Sequence, residues 1–132
     1  MSDYNSTMLA EKAKEARKFA QAKYSNFPVG AALVSDKDEI FTGCNVESSS
    51  YSMTICAERV ALTKALSEGT TKFKAIAIAA KNGLFCPPCG ACRQLLFDYA
   101  PDIDIILTDG KENKIFKLQE LLPHAFDDSQ LG

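Results

Sequence analysis

The chain of 132 residues carries five cysteines, Cys44, Cys56, Cys86, Cys89 and Cys92. Three of them fall in the short runs Cys56-Ala57-Glu58 and Pro88-Cys89-Gly90-Ala91-Cys92, each at the point where a loop gives way to helical spacing. At such a point, free backbone N–H groups and the positive end of the helix dipole favour thiolate over thiol. Three thiolates suit zinc, and three protein ligands rather than four leave one tetrahedral position for water, as in a catalytic site. Glu58 would then have its own task, because a carboxylate beside the metal can take a proton from water and deliver it to a reacting group.

A closed structural zinc site competes with this reading. Cys86-x-x-Cys89 and Cys89-x-x-Cys92 both have ligand spacing, and spacing alone favours four ligands, Cys56, Cys86, Cys89 and Cys92, with no catalysis. A geometric condition also applies to the open site. Residues two apart in a regular helix point in nearly opposite directions, so Cys56 and Glu58 can face one metal only if Cys56 lies in an irregular first turn. Thiolates also donate more charge than imidazoles, which calls for something to offset it. The two helix N-termini are one candidate, and hydrogen bonds from Arg59 or Gln94 to a ligand sulfur are another. For Arg59, an ordinary surface salt bridge is equally open.

The elements that must position these residues follow from periodicity. Residues 6–24 read as an amphipathic helix, with Leu9, Ala13, Ala16 and Ala20, joined by Met8 and Phe19, opposite a Lys/Glu-rich face. Residues 29–34 and 40–46 read as strands joined by the polar turn Ser35-Asp36-Lys37-Asp38, hence a hairpin. A second helix spans 55–66 and ends before Gly69. Residues 75–80, alternating Ile and Ala, form a central strand, and 91–99 a third helix bounded by Pro101. Strands at 103–108 and 115–118 and a short helix at 118–122 complete the order α-β-β-α-β-α-β-β with a helical tail. Helices alternating with strands imply a sheet covered on its faces, largely parallel where helices make the crossovers.

Composition narrows the class. With 46% apolar and 24% charged residues, the chain has the balance of a folded globular protein, and its length suits one domain over 1–132. A net charge of -2 with interspersed signs offers no footprint for nucleic acid. The longest apolar run, 75–80, is far below the roughly 20 residues that span a bilayer, and no secretory signal is visible at the N-terminus. Cysteines in odd number without an export signal suggest a cytoplasmic protein whose thiols bind metal before they form disulfides.

The pattern of a Cys or His, a Glu two residues on, and Pro-Cys-x-x-Cys is that of the zinc deaminases acting on bases. The match extends to Tyr24-Ser25-Asn26-Phe27-Pro28-Val29-Gly30-Ala31-Ala32, Gly43-Cys44-Asn45-Val46-Glu47, Ile55-Cys56-Ala57-Glu58-Arg59 and Glu120-Leu121-Leu122-Pro123, in which the chain closely resembles the small cytidine deaminases. That resemblance implies an α/β three-layer α-β-α sandwich with a mixed five-stranded sheet, one zinc ion per subunit, and a homotetramer. It implies hydrolysis of cytidine and 2'-deoxycytidine to the uridines with release of ammonia, in pyrimidine salvage. The ligand positions fall on Cys56, Cys89 and Cys92, and the proton shuttle on Glu58. Asn45 and Glu47 occupy the ribose-binding positions, Phe27 packs on the substrate, and Ala57 belongs to the same substrate-binding set. Tyr51 and Phe126 match aromatics contributed across subunit interfaces. In a monomer they would be a loop aromatic and part of a frayed tail.

The chain departs from the family pattern at Ser48, Ser49 and Ser52, at the rim of the implied sugar pocket or a subunit contact. His124, the only histidine, is expected to face solvent. A polynucleotide deaminase would need a basic channel with stacking aromatics, and a deoxycytidylate deaminase a cationic phosphate pocket. Neither is evident in the sequence. A deaminase of a related nucleoside such as blasticidin S, and a non-catalytic structural zinc protein, remain as alternatives.

Overall fold

The computed structural model describes residues 4–131. Helix α1 spans Ser6–Arg17, strands β1 and β2 span Gly30–Ser35 and Ile40–Cys44, and helix α2 spans Ala57–Ser67. Strand β3 is Phe73–Ala79, helix α3 Gly90–Tyr99, strands β4 and β5 Asp104–Thr108 and Asn113–Lys117, and helix α4 Leu118–Leu121. The element order is the one that periodicity predicts.

The five strands lie in the order β2-β1-β3-β4-β5. β1 pairs antiparallel with both β2 and β3, β3 pairs parallel with β4 across the α3 crossover, and β4 pairs antiparallel with β5. The sheet is therefore mixed, and less parallel than two helical crossovers suggest. β2 leads through α2 to β3, yet β1 is inserted between them, so the α2 crossover joins strands that are not neighbours.

Side-chain alternation sorts the core into two layers. Ala31 and Leu33 of β1, Ile76 and Ile78 of β3, and Ile105 and Leu107 of β4 pack with Ala61, Leu62, Ala65 and Leu96 of α2 and α3. Ala32, Val34, Ala75, Ala77, Ala79 and Ile106 face the opposite side and pack with Leu9 and Ala13 of α1. The Ile/Ala alternation of β3 thus has a physical reason: the bulky face meets two helices, and the small face lets α1 settle close to the sheet.

Helix α1 is shorter than predicted. It stops at Arg17 because the chain then turns to pair with the segment after β2: Gln21 N donates to Asn45 O at 2.9 Å, and Glu47 N to Gln21 O at 3.0 Å. Long-range pairing overrides the helix propensity of residues 18–24. Phe19, read as part of the apolar face, is 73% exposed as a result. α2 likewise starts at Ala57 rather than 55, with Cys56 as its N-cap. No helix among the described residues is long and apolar enough to cross a membrane.

Candidate active site

Each ligand motif sits at a helix start. Cys56 caps α2 in extended conformation (φ -72°, ψ 154°), and Cys89 caps α3 in the same way (φ -66°, ψ 165°). This satisfies the geometric condition on Cys56 and Glu58, because an N-cap residue is outside the helical period and its side chain need not oppose that of the residue two later. The backbone carbonyls of both cysteines already accept helical bonds, from Val60 N at 3.1 Å and Arg93 N at 2.9 Å. Neither thiol makes a side-chain capping bond, so both are available to a ligand.

The sulfurs of Cys56, Cys89 and Cys92 all lie within 4.8 Å of one another. Cys56 Sγ is 3.8 Å from Cys89 Sγ, and Cys89 Sγ is 3.3 Å from Cys92 Sγ. Tetrahedral zinc with Zn–S bonds near 2.3 Å separates its sulfurs by about 3.8 Å, so the cluster fits that ion with small adjustments. Cys86 stands outside the cluster, its thiol directed to Pro87 O at 3.8 Å. The geometry is that of the open three-cysteine site.

Charge points the same way. The Cys92 thiol, and then Cys89 and the Arg59 guanidinium, hold Cys56 well below the ordinary thiol range, against desolvation. Cys92 is pushed up by its hydrogen bond to Cys56, by burial and by the Glu58 carboxylate. Three thiols this close cannot all ionise unaided, and a divalent cation removes the conflict. Arg59 donates from Nη2 to Thr54 O at 3.0 Å, while its buried Nε has no partner among the described residues. An orphan donor beside Cys56 suits a sulfur that stays charged when metal is bound.

Glu58 is buried, at 5% exposure, in the first turn of α2 beside Cys56 and Cys92. Burial is the main reason its carboxyl is pushed up to about 7, with the Cys56 charge adding to the effect. A carboxyl so held exchanges a proton readily near neutrality.

A cleft of about 270 Å³ opens over the cluster, lined by Phe27, Asn45, Glu47, Ala57, Glu58 and Cys86 among others. Asn45 clamps the turn that carries Phe27: its Oδ1 accepts from Val29 N at 2.9 Å and its Nδ2 donates to Phe27 O at 3.0 Å. This leaves Asn45 one amide hydrogen and one lone pair for a substrate. Glu47 Oε1 accepts from Tyr24 N at 2.9 Å and Ser25 N at 3.0 Å, and Oε2 accepts from the Ser25 hydroxyl. These bonds, the Ser25 hydroxyl first, hold the Glu47 carboxyl below its usual range and leave about one acceptor position open.

The remaining expected residues lie elsewhere. Tyr51, 77% exposed, stands edge-on to Tyr24 with ring centroids 6.4 Å apart, in an adjoining hollow lined also by Ser48 and Thr54. Phe126, 55% exposed, lies on the outer side of α3 in a groove with Phe97, Tyr99 and Leu131. Gln94 does not serve a sulfur: its Nε2 donates to Phe126 O at 2.8 Å and to Asp98 Oδ1 at 3.1 Å, which uses both amide hydrogens. Two residues after Cys92 in a regular helix, its side chain points away from the cluster. His124 is exposed.

Sequence reasoning passed over Ser25, whose place two residues before Phe27 in a turn-forming run was a usable signal. It also passed over the cleft position of Cys86 and over Arg93, which directly follows Cys92.

Comparison with known proteins agrees with this geometry. The family model of the cytidine and deoxycytidylate deaminase zinc-binding region matches residues 3–107. A cytidine deaminase of Sporosarcina psychrophila is 43% identical over 94% of this chain and 93% of its own length. The crystal structure of a cytidine deaminase from Burkholderia pseudomallei superposes with a TM-score of 0.89 at 42% identity, covering 93% of this chain and all of the other. A blasticidin-S deaminase of Bacillus cereus is more distant, at 33% identity over 72% of this chain and 74% of its own length. Matched by that family model over residues 3–107 and by these relatives over most of its length, the chain belongs to the cytidine and deoxycytidylate deaminase family.

Proposed function

We propose that this protein, as one catalytic domain, hydrolyses cytidine and 2'-deoxycytidine at C4, exchanging the amino group for oxygen from water and releasing ammonia. The observation that carries the reading is the placement of buried Glu58 against the Cys56, Cys89 and Cys92 cluster at the floor of a cleft whose other side presents Asn45 and Glu47. Cys56, Cys89 and Cys92 would hold zinc, which when bound would supply the Lewis acidity that makes water nucleophilic near neutral pH.

The chain's own residues do the rest. Glu58 takes one proton from water and gives it to N3 of the ring, then takes the proton of the new C4 hydroxyl and delivers it to the departing amine. Asn45 donates to, and Glu47 accepts from, the sugar hydroxyls through the positions their structural bonds leave open. Phe27, half-buried and fixed by the Asn45 clamp, packs on the nucleoside. Arg59 and the two helix N-termini offset the charge of the thiolates.

Tyr51 and Phe126 lie outside the cleft of a single chain, which supports a homotetramer in which neighbouring subunits complete each site. Thiol ligation suits the reducing cytoplasm.

The test is a spectrophotometric assay of cytidine, 2'-deoxycytidine, cytosine, deoxycytidine monophosphate and blasticidin S in parallel, with light scattering for the oligomer. Turnover of the two nucleosides is expected. Preference for blasticidin S would move the substrate to the nucleoside antibiotics. Glu58→Gln is expected to retain one zinc per subunit while kcat falls by about 10²–10⁴. Full activity in that variant refutes the mechanism.

A further inference from the structure

We propose that Arg93 is a positioning residue for the metal centre, tying the peptide before Cys89 to the end of α4 so that zinc retention and α4 docking are coupled. The inference rests on the reading of Cys56, Cys89 and Cys92 as zinc ligands.

The run Cys86-Pro87-Pro88 approaches Cys89 with two prolines in succession, and neither has an N–H with which to bond a neighbouring element. Upstream, the loop is tied at Leu84, whose N donates to Lys81 O at 3.1 Å. Pro88 is buried, so its carbonyl needs a partner that the local backbone does not supply. Arg93 supplies it, donating from Nε to Pro88 O at 2.7 Å. The same guanidinium donates from Nη1 to Leu121 O at 2.8 Å, one of the carbonyls left open at the end of α4.

One side chain, rooted directly after the ligand Cys92, therefore holds the carbonyl directly before the ligand Cys89 and anchors it outside the site. That anchor is firm. Leu118, the first residue of α4, is fully buried, and its N–H bonds Ile103 O at 3.1 Å. Lys117 N is capped by Glu120 Oε1 at 2.7 Å. Bonding two carbonyls at once uses the planar fork of arginine, and a lysine ammonium at this position reaches only one. Free-energy coupling acts in both directions, so zinc should steady α4 as α4 steadies the loop.

The test uses full-length protein and two readouts other than turnover. Zinc release to a chromophoric chelator is timed for wild type, Arg93→Lys and Arg93→Ala. Hydrogen exchange over residues 118–122 is measured with zinc and after chelation. Lysine is expected to speed release about tenfold and alanine more, in the range found when groups that orient metal ligands are removed. In wild type, exchange over 118–122 should quicken on chelation, and in Arg93→Lys that zinc dependence should be lost.

Unchanged zinc release in Arg93→Lys overturns the proposal, as does a lowered melting temperature without faster release, which marks a purely structural arginine. Should neither variant fold, the wild-type exchange decides alone: no response of 118–122 to zinc overturns the coupling. A wild type that binds no zinc would instead sink the underlying reading of the site.

Discussion

Gly43→Ala tests how finely α2, which carries Glu58, is placed. Gly43 lies in β2 under the first turn of α2, and a Cβ there would stand 2.5 Å from Ala57 O, 2.6 Å from Ala61 N and 3.0 Å from Val60 Cβ. The first two contacts are backbone, so no side-chain rotation relieves them. Ordinary contact begins near 3.4 Å, so α2 must withdraw by about 0.9 Å at its N-terminal end. Cys56 and Glu58 ride on that end, whereas Cys89 and Cys92 ride on α3 and stay.

A misplacement of about 1 Å costs on the order of 100-fold in rate, or about 2.7 kcal/mol of barrier. Overpacking adds about 1–3 kcal/mol of lost stability. The assay is kcat for cytidine with zinc content measured on the same samples, beside a melting curve. A kcat reduced about 100-fold in folded protein is expected, with weaker zinc retention. A folded Gly43→Ala protein with wild-type kcat and full zinc refutes the reasoning, because β2, an edge strand, would then have yielded in place of α2.

Asn45→Ala removes the clamp on Phe27 and Val29 and leaves a partly buried N–H and C=O without their side-chain partner, a loss of about 1 kcal/mol in stability that a denaturant titration would read. KM for cytidine should rise in the same variant. Stripping zinc with a chelator should abolish turnover and lower the melting temperature, and added zinc should restore both. Glu47 is a carboxylate with a depressed pKa, so its contribution is present above the unfolded value near 4.5 and is lost as pH falls through the lower folded value. The contribution of Glu47 to KM should therefore stay level from pH 7 to about 5. In Ser25→Ala, which removes the largest cause of the depression, the acid rise in KM should begin at higher pH.

The element order was legible because each segment's period agrees with its final state, and β3 shows why: its Ile/Ala alternation already encodes two faces that meet different helices. Strand order was not legible, since the insertion of β1 between β2 and β3 depends on pairings over long sequence distances. The end of α1 was misread for a related reason. Residues 18–24 favour a helix locally, but Gln21 pairs with Asn45 and Glu47 instead.

At the site, Cys56, Cys89, Cys92 and Glu58 could be read from residue type and spacing, yet spacing favoured including Cys86, which geometry leaves outside the cluster. Nearness in the chain misled for Gln94, which points to Phe126 and Asp98. Ser25 and Arg93 act through partners 22 and 28 residues away, which no local pattern reveals.

The two faces of β3 also constrain how this lineage can vary. Ala75, Ala77 and Ala79 are sealed beneath α1, so any substitution but glycine adds volume there, at about 1–3 kcal/mol. Ile76 and Ile78 look toward α2 and α3, and a change to valine removes one methyl group at about 0.5–1.5 kcal/mol each. Adjacent codons thus lie under opposite size limits, a ceiling on one face and a floor on the other. Divergence in this strand should proceed mainly through the isoleucines, while the alanines persist as the record of how closely α1 lies on the sheet.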